Sequence, residues 1–495
     1  MNCKGEELDK DLDAVRNKIE MGMKGSADLI LNIYKAGGTR ELVFMFDGLV
    51  SNTQVSDFLL RPLAQVPQTV DSPEKLWEYL YSGRMMSSEQ GEVSTYEDLF
   101  TKAMSGFALV IVEGMGKAIT LGYQGFATRG VDEPSAEKNM RGSREGFTES
   151  NNINTALVRR RLKSPSLKAE TLYIGRRSHT NVRMIYLTDA ADPQMVQQVR
   201  EALSGARMDV LLDSGYLQPF LKKGSASLFG GTGVTQRPDT LCAKLAEGRI
   251  GVMVDGSPYV MVAPFLFLEH FQNLDDYTQR PYFATFVRLL RLAAFFLTVF
   301  LPGSYVAVVS YHPELIPRSL LRSFIGSVVS TPMPAVLEAL ILFLLFELLR
   351  EAGLRLPDAI GHTLSVVGGL VIGDAAVKAG LVGLPMMIII ALTAVGAFVI
   401  PSLYEPITIL RFLFIIVGGV LGLYGIYLGF FLLVFNMCSL QTLGVPLTSP
   451  VAPYEGMSFR DLFWRSGWEK MQQRSYRVSQ SVDRDGRECE NGTPE

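Results

Sequence analysis

Cysteine is scarce: the 495-residue chain has four, Cys3, Cys242, Cys438 and Cys489, too far apart for a disulfide framework or a CxxC metal site. Its four histidines, His179, His270, His312 and His362, share no HExxH spacing, and no serine sits in GxSxG, so no enzyme, metal or cofactor motif is present. There is no excess of basic charge either. With 47 Lys+Arg against 50 Asp+Glu the net charge is −3, which excludes a basic nucleic-acid surface. The opening MNCKGEELDKDLDAV lacks an apolar signal core, so the first 280 or so residues are expected to stay on the side where they are made, the cytoplasm.

Charge itself is missing from one region. Residues 288–440 hold only 15 of the 97 charged residues. An α-helix needs about 20 mostly apolar residues to cross a bilayer core about 30 Å thick, and this region supplies several such runs. The expected fold is therefore a cytoplasmic α/β region of two subdomains, 1–140 and 141–287, followed by a polytopic α-helical membrane domain, 288–440, and a cytoplasmic tail, 441–495.

In the first subdomain, charged Glu6 to Lys24 followed by apolar Leu29, Ile30 and Ile33 reads as a helix, and Arg40 to Phe46 as a strand. Phe107 to Leu121 is two apolar runs around a glycine turn, a hairpin. The second subdomain alternates strand-like Val182–Leu187, helix-like Pro193–Ser204 and apolar Met208–Leu212. It then gives strand, turn and strand across Ile250–Val254, Asp255–Pro258 and Tyr259–Ala263, because Asp-Gly accepts the positive φ of a tight reversal. Phe229-Gly-Gly-Thr-Gly-Val lacks the lysine of a phosphate loop and reads as a turn. Arg159, Arg160 and Arg161 form a helix face expected to meet acidic groups or headgroups.

Arg280, Arg288 and Arg291 precede the membrane part and suit a cytoplasmic interface. Five apolar segments follow, of which four or five cross: Leu292–Tyr311; Ser319–Leu349, interrupted by Pro332-Met333-Pro334; Ile360–Val377; Leu381–Tyr404; and Phe412 to about Phe435. An even number of crossings would return the tail to the cytoplasm, where Phe459, Phe463, Trp464, Arg465, Trp468 and Lys470 make an interfacial aromatic-basic segment. In the third segment Gly361, Ser365, Gly368, Gly369, Ile372, Gly373, Ala376 and Gly380 form a stripe that serves close helix packing or a narrow axial path. Glu338, flanked by apolar residues, is a candidate for an ion path, since an intramembrane carboxylate is costly unless paired or wetted. Glu347, beside Arg350 and Glu351, is expected at a solvated interface, and Asp374 with Lys378 as an i,i+4 pair.

Several ordered blocks carry a resemblance. They are Arg144-Glu145-Gly146-Phe147-Thr148-Glu149-Ser150, Asn154 to Lys163 with Arg159-Arg160-Arg161, Gln236-Arg-Pro-Asp, Glu247-Gly-Arg-Ile with Val254-Asp-Gly-Ser-Pro, Ala284 to Arg291, Pro332-Met-Pro, Leu349 to Pro357 and Val371 to Gly380. Together they resemble the A subunits of bacterial spore germinant receptors, the GerA/SpoVAF family, over about residues 25 to 470. Val328-Val329 stand where the family carries an Arg-Glu pair, and its Ser-Pro-Phe-Pro loop is replaced near Leu228-Phe229-Gly230.

The resemblance implies a multi-pass protein of the inner spore membrane with its N-terminal domain facing the spore core. Its implied partners are a transporter-like B subunit, where small germinants bind, a lipoprotein C subunit, membrane lipids and further copies of itself in a pentamer. The implied function is a germinant-gated cation channel that releases ions from the core; the small-residue stripe and the intramembrane carboxylate make Glu338, Ser365, Gly369, Ile372 and Ala376 its expected pore lining. An accessory SpoVAF-like channel and a non-conducting scaffold for receptor clusters are the rival functions. A secondary transporter is disfavoured by the lack of an inverted repeat of broken helices.

Overall fold

The computed structural model describes residues 6–469 except 24–25, 68–69, 71, 86, 88, 126–136, 138–140, 222–226, 320–325, 327–330, 356–372, 455–460 and 468. It opens with α1 (Leu12–Gly22), capped by the Asp11 carboxylate, which accepts from the Asp13 amide at 3.2 Å. Leu12, Val15 and Ile19 repeat at helical spacing and are buried. The apolar residues that follow do not extend this helix, as the sequence suggested. Leu29, Ile30 and Ile33 lie on a strand, β1 (Leu29–Ala36), paired with β2 (Thr39–Phe46). The cause is the Gly37-Gly38 reversal: both residues have positive φ, 56° and 88°, the geometry of a two-residue hairpin turn, and it ties the run to β2.

Next come helical residues 52–64, α2 (Pro73–Tyr79), β3 (Gln90–Val93), α3 (Tyr96–Met104) and the expected hairpin, β4 (Phe107–Val112) with β5 (Ala118–Gly122). The antiparallel sheet runs β1-β2-β4-β5-β3. Period-2 alternation splits β2 between two cores: Leu42, Phe44 and Phe46 pack with α1 and α3, while Val43 and Met45 pack under residues 55–80.

The second unit repeats this plan. After α4 (Asn151–Arg161) come β6 (Leu167–Ile174), β7 (Thr180–Leu187), α5 (Pro193–Ser204), β8 (Gly233–Thr235), α6 (Pro238–Ala246), β9 (Ile250–Val254) and β10 (Val260–Ala263). The order β6-β7-β9-β10-β8 matches that of the first sheet strand for strand. In each, an antiparallel hairpin is followed by helix, short edge strand, helix and second hairpin. The Asp255-Gly256 turn is present, with Gly256 at φ 92°. Met208–Leu212, expected to continue the alternation, is instead a loop. Its carbonyls at Met208 and Asp209 accept from the Arg176 and Arg177 amides, and Val210 and Leu212 are exposed.

The apolar half is a bundle of α7 (Pro281–Tyr311), α8 (Ala335–Arg355), α9 (Leu384–Phe398) and α10 (Tyr404–Ser439). By length and composition two described helical stretches suffice to cross a membrane, Pro281–Tyr311 and Pro401–Ser439. α10 is not one straight rod. Gly422 breaks it with φ 62° and ψ −153°, values that only glycine adopts readily. The Phe300 ring lies 4.6 Å from that of Phe414 and 5.7 Å from that of Phe430. In a straight helix those two residues would be about 24 Å apart. The chain therefore doubles back at Gly422, and the expected single segment Phe412–Phe435 is two antiparallel legs, 404–421 and 423–439.

Contacts fix the direction of each helix. α7 starts at the end of the bundle facing the α/β region, the near end, and its Tyr311 reaches the far end of the first α10 leg, where the hydroxyl donates to the Gly419 carbonyl at 2.8 Å. Gly303 and Gly418 lie where α7 crosses that leg. A Cβ on Gly303 would come within 2.4 Å of the Phe414 carbonyl oxygen, so the close approach needs glycine. α8 runs back from the far end, with Val336 against Gly419 and Glu347 against Arg411. α9 also runs toward the near end. After the second leg of α10, Leu440 and Leu447 pack with Phe267 and Phe271, and Val445 enters the core of the second α/β unit. Residues 440–447 thus contact the α/β region directly.

Candidate functional site

Glu338 and Glu347 on α8 are nine residues apart, about 13 Å along the axis and half a turn around it, so they face opposite sides of the helix. Glu338 lies toward the far end, 4% exposed, and accepts from the Gly383 amide at 2.8 Å, just before α9 begins. Among the described residues no cation pairs with it. Its neighbours Ala339, Leu342, Val382, Met386 and Ile390 form an apolar cluster against which Ala376 packs. Ser365, Gly369 and Ile372, with most of the small-residue stripe, lie outside the described residues. Farther along, Asp374 and Lys378 make the expected i,i+4 pair at 2.6 Å, exposed.

Glu347 is not at a solvated interface. It is the hub of a polar cluster inside the bundle, because Tyr404, Thr408 and Arg411 recur every three or four residues on α10 and turn one stripe toward it. Its carboxylate accepts from the Arg411 guanidinium at 2.7 Å, from Arg350 at 3.0 Å and from the Tyr404 hydroxyl at 2.8 Å. Arg411 is fully buried, with its guanidinium 4.3 Å from the centre of the Phe343 ring. One carboxylate against two arginines leaves the cluster with net positive charge.

Residues 144–161 form the joint between the α/β units. Asn154 on α4 accepts from the Thr148 amide at 2.8 Å and donates back to the Thr148 carbonyl, which fixes the loop into the helix. Phe147 is buried and Gly146 with it, whereas Arg144 and Glu149 are exposed. The three arginines do meet acidic groups. Arg160 and Arg161 both pair with Glu145. Arg159 crosses to the first unit, where it pairs with Asp28, donates to the Ser26 hydroxyl at 2.8 Å and stacks 4.3 Å from the Phe46 ring. Burial opposes ionisation of Asp28, but Arg159 holds its carboxyl below the usual range. Beside it, Lys168 donates to the Gly22 carbonyl at 2.6 Å, and burial together with Arg159 lowers its amine to about 8. No signal in the sequence pointed to Asp28.

A second buried cluster was also missed. Arg249, from the Glu247-Gly-Arg-Ile block, and Lys244 both pair with Glu269, and their charges overcome burial to hold that carboxyl low. Glu41 on β2 is the opposite case: fully buried, with neither oxygen hydrogen-bonded among the described residues, it is pushed up to about 8 by burial. Among the described residues no group of three His, Cys, Asp or Glu side chains could hold a metal ion.

Comparison with known proteins places these features in a family. The family described as "Bacillus/Clostridium GerA spore germination protein" matches residues 17–476. "Spore germination protein KA" of Bacillus subtilis (strain 168) is 36% identical over 467 residues, covering 93% of this chain and 85% of that protein. "Uncharacterized membrane protein YfkQ" of the same organism is 36% identical over 455 residues, covering 91% and 88%. The crystal structure of the N-terminal domain of the A subunit of the Bacillus megaterium spore germinant receptor GerK3 is 28% identical, with a TM-score of 0.42, covering 53% of this chain and 98% of that domain. With the match spanning nearly its whole length, the chain belongs to the GerA family of spore germination proteins.

Proposed function

We propose that this chain is the membrane subunit of a nutrient germinant receptor, which oligomerises, as a pentamer, into a germinant-gated cation channel that releases ions from the spore core. The observation that carries the reading is the family match over residues 17–476, which takes in the α/β region and the bundle alike. Apolar helices of membrane length support a multi-pass location, and residues 440–447 packed on the α/β region support an even number of crossings. In this reading Glu338 and Ala376, with Ser365, Gly369 and Ile372, flank the ion path. A transporter-like B subunit binds the germinant, a lipoprotein C subunit completes the complex, and occupancy shifts the closed and open populations.

Affinity purification of the tagged chain from spore membranes tests this. Recovery of B and C subunits, with loss of nutrient-triggered germination on deletion of the gene, is the expected result. Recovery of neither, with germination unchanged, would sink it. The same family match also accommodates a second reading, an accessory channel that amplifies ion release. Deletion would then slow germination by every nutrient rather than abolish the response to one.

A further inference from the structure

The start of α7 carries an apolar stripe that the charge count of the sequence hides. Arg288 and Arg291, which suited a solvated cytoplasmic interface, turn inward. Arg288 donates to Asp276 at 3.0 Å and to Asp461 of the tail at 2.9 Å, and Arg291 pairs with Asp276 at 2.9 Å. Two arginines and two aspartates cancel. On the outward side Tyr282, Phe283, Phe286, Leu289, Leu290 and Phe296 recur at helical spacing, each more than two-fifths exposed, with no charge among them. This stripe begins about ten residues, some 15 Å, before the uncharged run at Leu292 and continues without a break into the face of that run.

The tail completes the surface. Asp461 accepts from the Tyr277 hydroxyl at 2.7 Å, the Arg465 amide donates to the Thr285 hydroxyl at 3.1 Å, and the Arg465 guanidinium donates to the Gln279 carbonyl at 2.8 Å. These bonds pin both ends of a short strap and leave Trp464, between them, 68% exposed beside α7. At the start of the stripe the exposed Arg280 donates to the Tyr282 hydroxyl at 3.1 Å. An apolar helix face ending in Tyr, Phe and Trp and closed by one outward arginine is the pattern of a membrane–water interface, where amphipathic rings sit at headgroup depth and a guanidinium meets phosphate. Water would leave these rings unfavourably hydrated, and a soluble partner would not account for continuity with a membrane-length helix.

We infer that Tyr282, Phe286 and Trp464 seat in the headgroup and upper acyl region of the near leaflet, and that the strap sets the depth at which α7 enters the bilayer. This rests on the reading of the chain as membrane-spanning. The test uses the full chain in phosphatidylcholine/phosphatidylglycerol vesicles, with Trp77→Phe and Trp468→Phe leaving Trp464 as the one tryptophan of three. Lipids brominated near the carboxyl end of the acyl chain should quench Trp464 more than lipids brominated near the methyl end, and Asp461→Asn should remove most of that quenching. A Trp464 in water, red-emitting and unquenched, overturns the inference. So does a blue-shifted Trp464 that no brominated lipid quenches, the signature of cover by a second copy of the chain. A second reporter, Leu297→Trp with Trp464→Phe, separates the two levels. If it is quenched and Trp464 is not, only this inference fails; if neither is quenched, the membrane reading fails with it.

Discussion

Arg159→Met removes the side chain that ties the two α/β units together, and its cost follows from what remains. Asp28 is 2% exposed and takes two hydrogen bonds from the Arg159 guanidinium, with Ser26 its only other side-chain partner among the described residues. Stripping one member from a buried ion pair costs about 3–5 kcal/mol, because the surviving charge has no water to return to. Replacing both by apolar residues, Asp28→Leu with Arg159→Met, is close to neutral on the same grounds. The double variant should therefore be more stable than the Arg159→Met single by most of that amount. Chemical denaturation of the full chain in mild detergent, with Trp464→Phe and Trp468→Phe in every variant so that Trp77 of the first unit alone emits, measures all three. The linkage has a definite sign. Because Arg159 holds the Asp28 carboxyl low, its contribution is present above the ordinary carboxylate range and is lost as pH falls through the lowered value, so Arg159→Met should move acid unfolding to higher pH. A single variant costing under about 1 kcal/mol, or a double variant costing the sum of both singles, would refute the reasoning.

Two other outcomes follow from the same balance of burial and pairing. Glu41 is raised from 4.5 to about 8, so the stability of the first unit should be full below pH 4.5 and fall as pH rises toward 8. At about 1.4 kcal/mol per pH unit the loss is of order 5 kcal/mol, and Glu41→Gln should abolish this pH dependence in denaturation curves; an unchanged slope would show that Glu41 ionises freely. In the bundle, Glu347→Leu leaves Arg411 and Arg350 uncompensated and should cost about 3–5 kcal/mol in detergent unfolding, while Glu347→Leu with Arg411→Met should recover most of it. Equal loss in the single and double variants would mean that the pair does not act as a unit.

What could be read from the sequence was local. The Asp255-Gly256 turn, the Phe107–Leu121 hairpin and the Pro193–Ser204 helix are each encoded locally in the chain, by turn chemistry and apolar period. Leu29–Ile33 was misassigned because a short apolar run fits either period, and only its pairing across Gly37-Gly38 decides it. The repeated strand order of the two sheets has no sequence signature, since it arises from which strands pair. Gly422 was invisible within a run of uniform hydropathy, which shows length but not direction. Charges in the bundle were legible as positions and not as partners: Glu338 was flagged correctly as buried, but Glu347 lies 64 residues from the Arg411 that neutralises it, a pairing that only the fold makes. The same holds for Arg288 and Asp461, 173 residues apart.

The central proposal, a cation channel with Glu338 beside its path, is tested most directly by ion flux through the purified chain in liposomes. The measurement is made with its partner subunits and germinant present, and repeated with Glu338→Gln, which keeps the acceptor that the Gly383 amide needs and removes the charge. The account predicts germinant-dependent cation flux that the substitution alters in rate or selectivity. No flux from a complex that contains the partners and binds germinant would contradict the channel; flux identical in both proteins would remove Glu338 from the path.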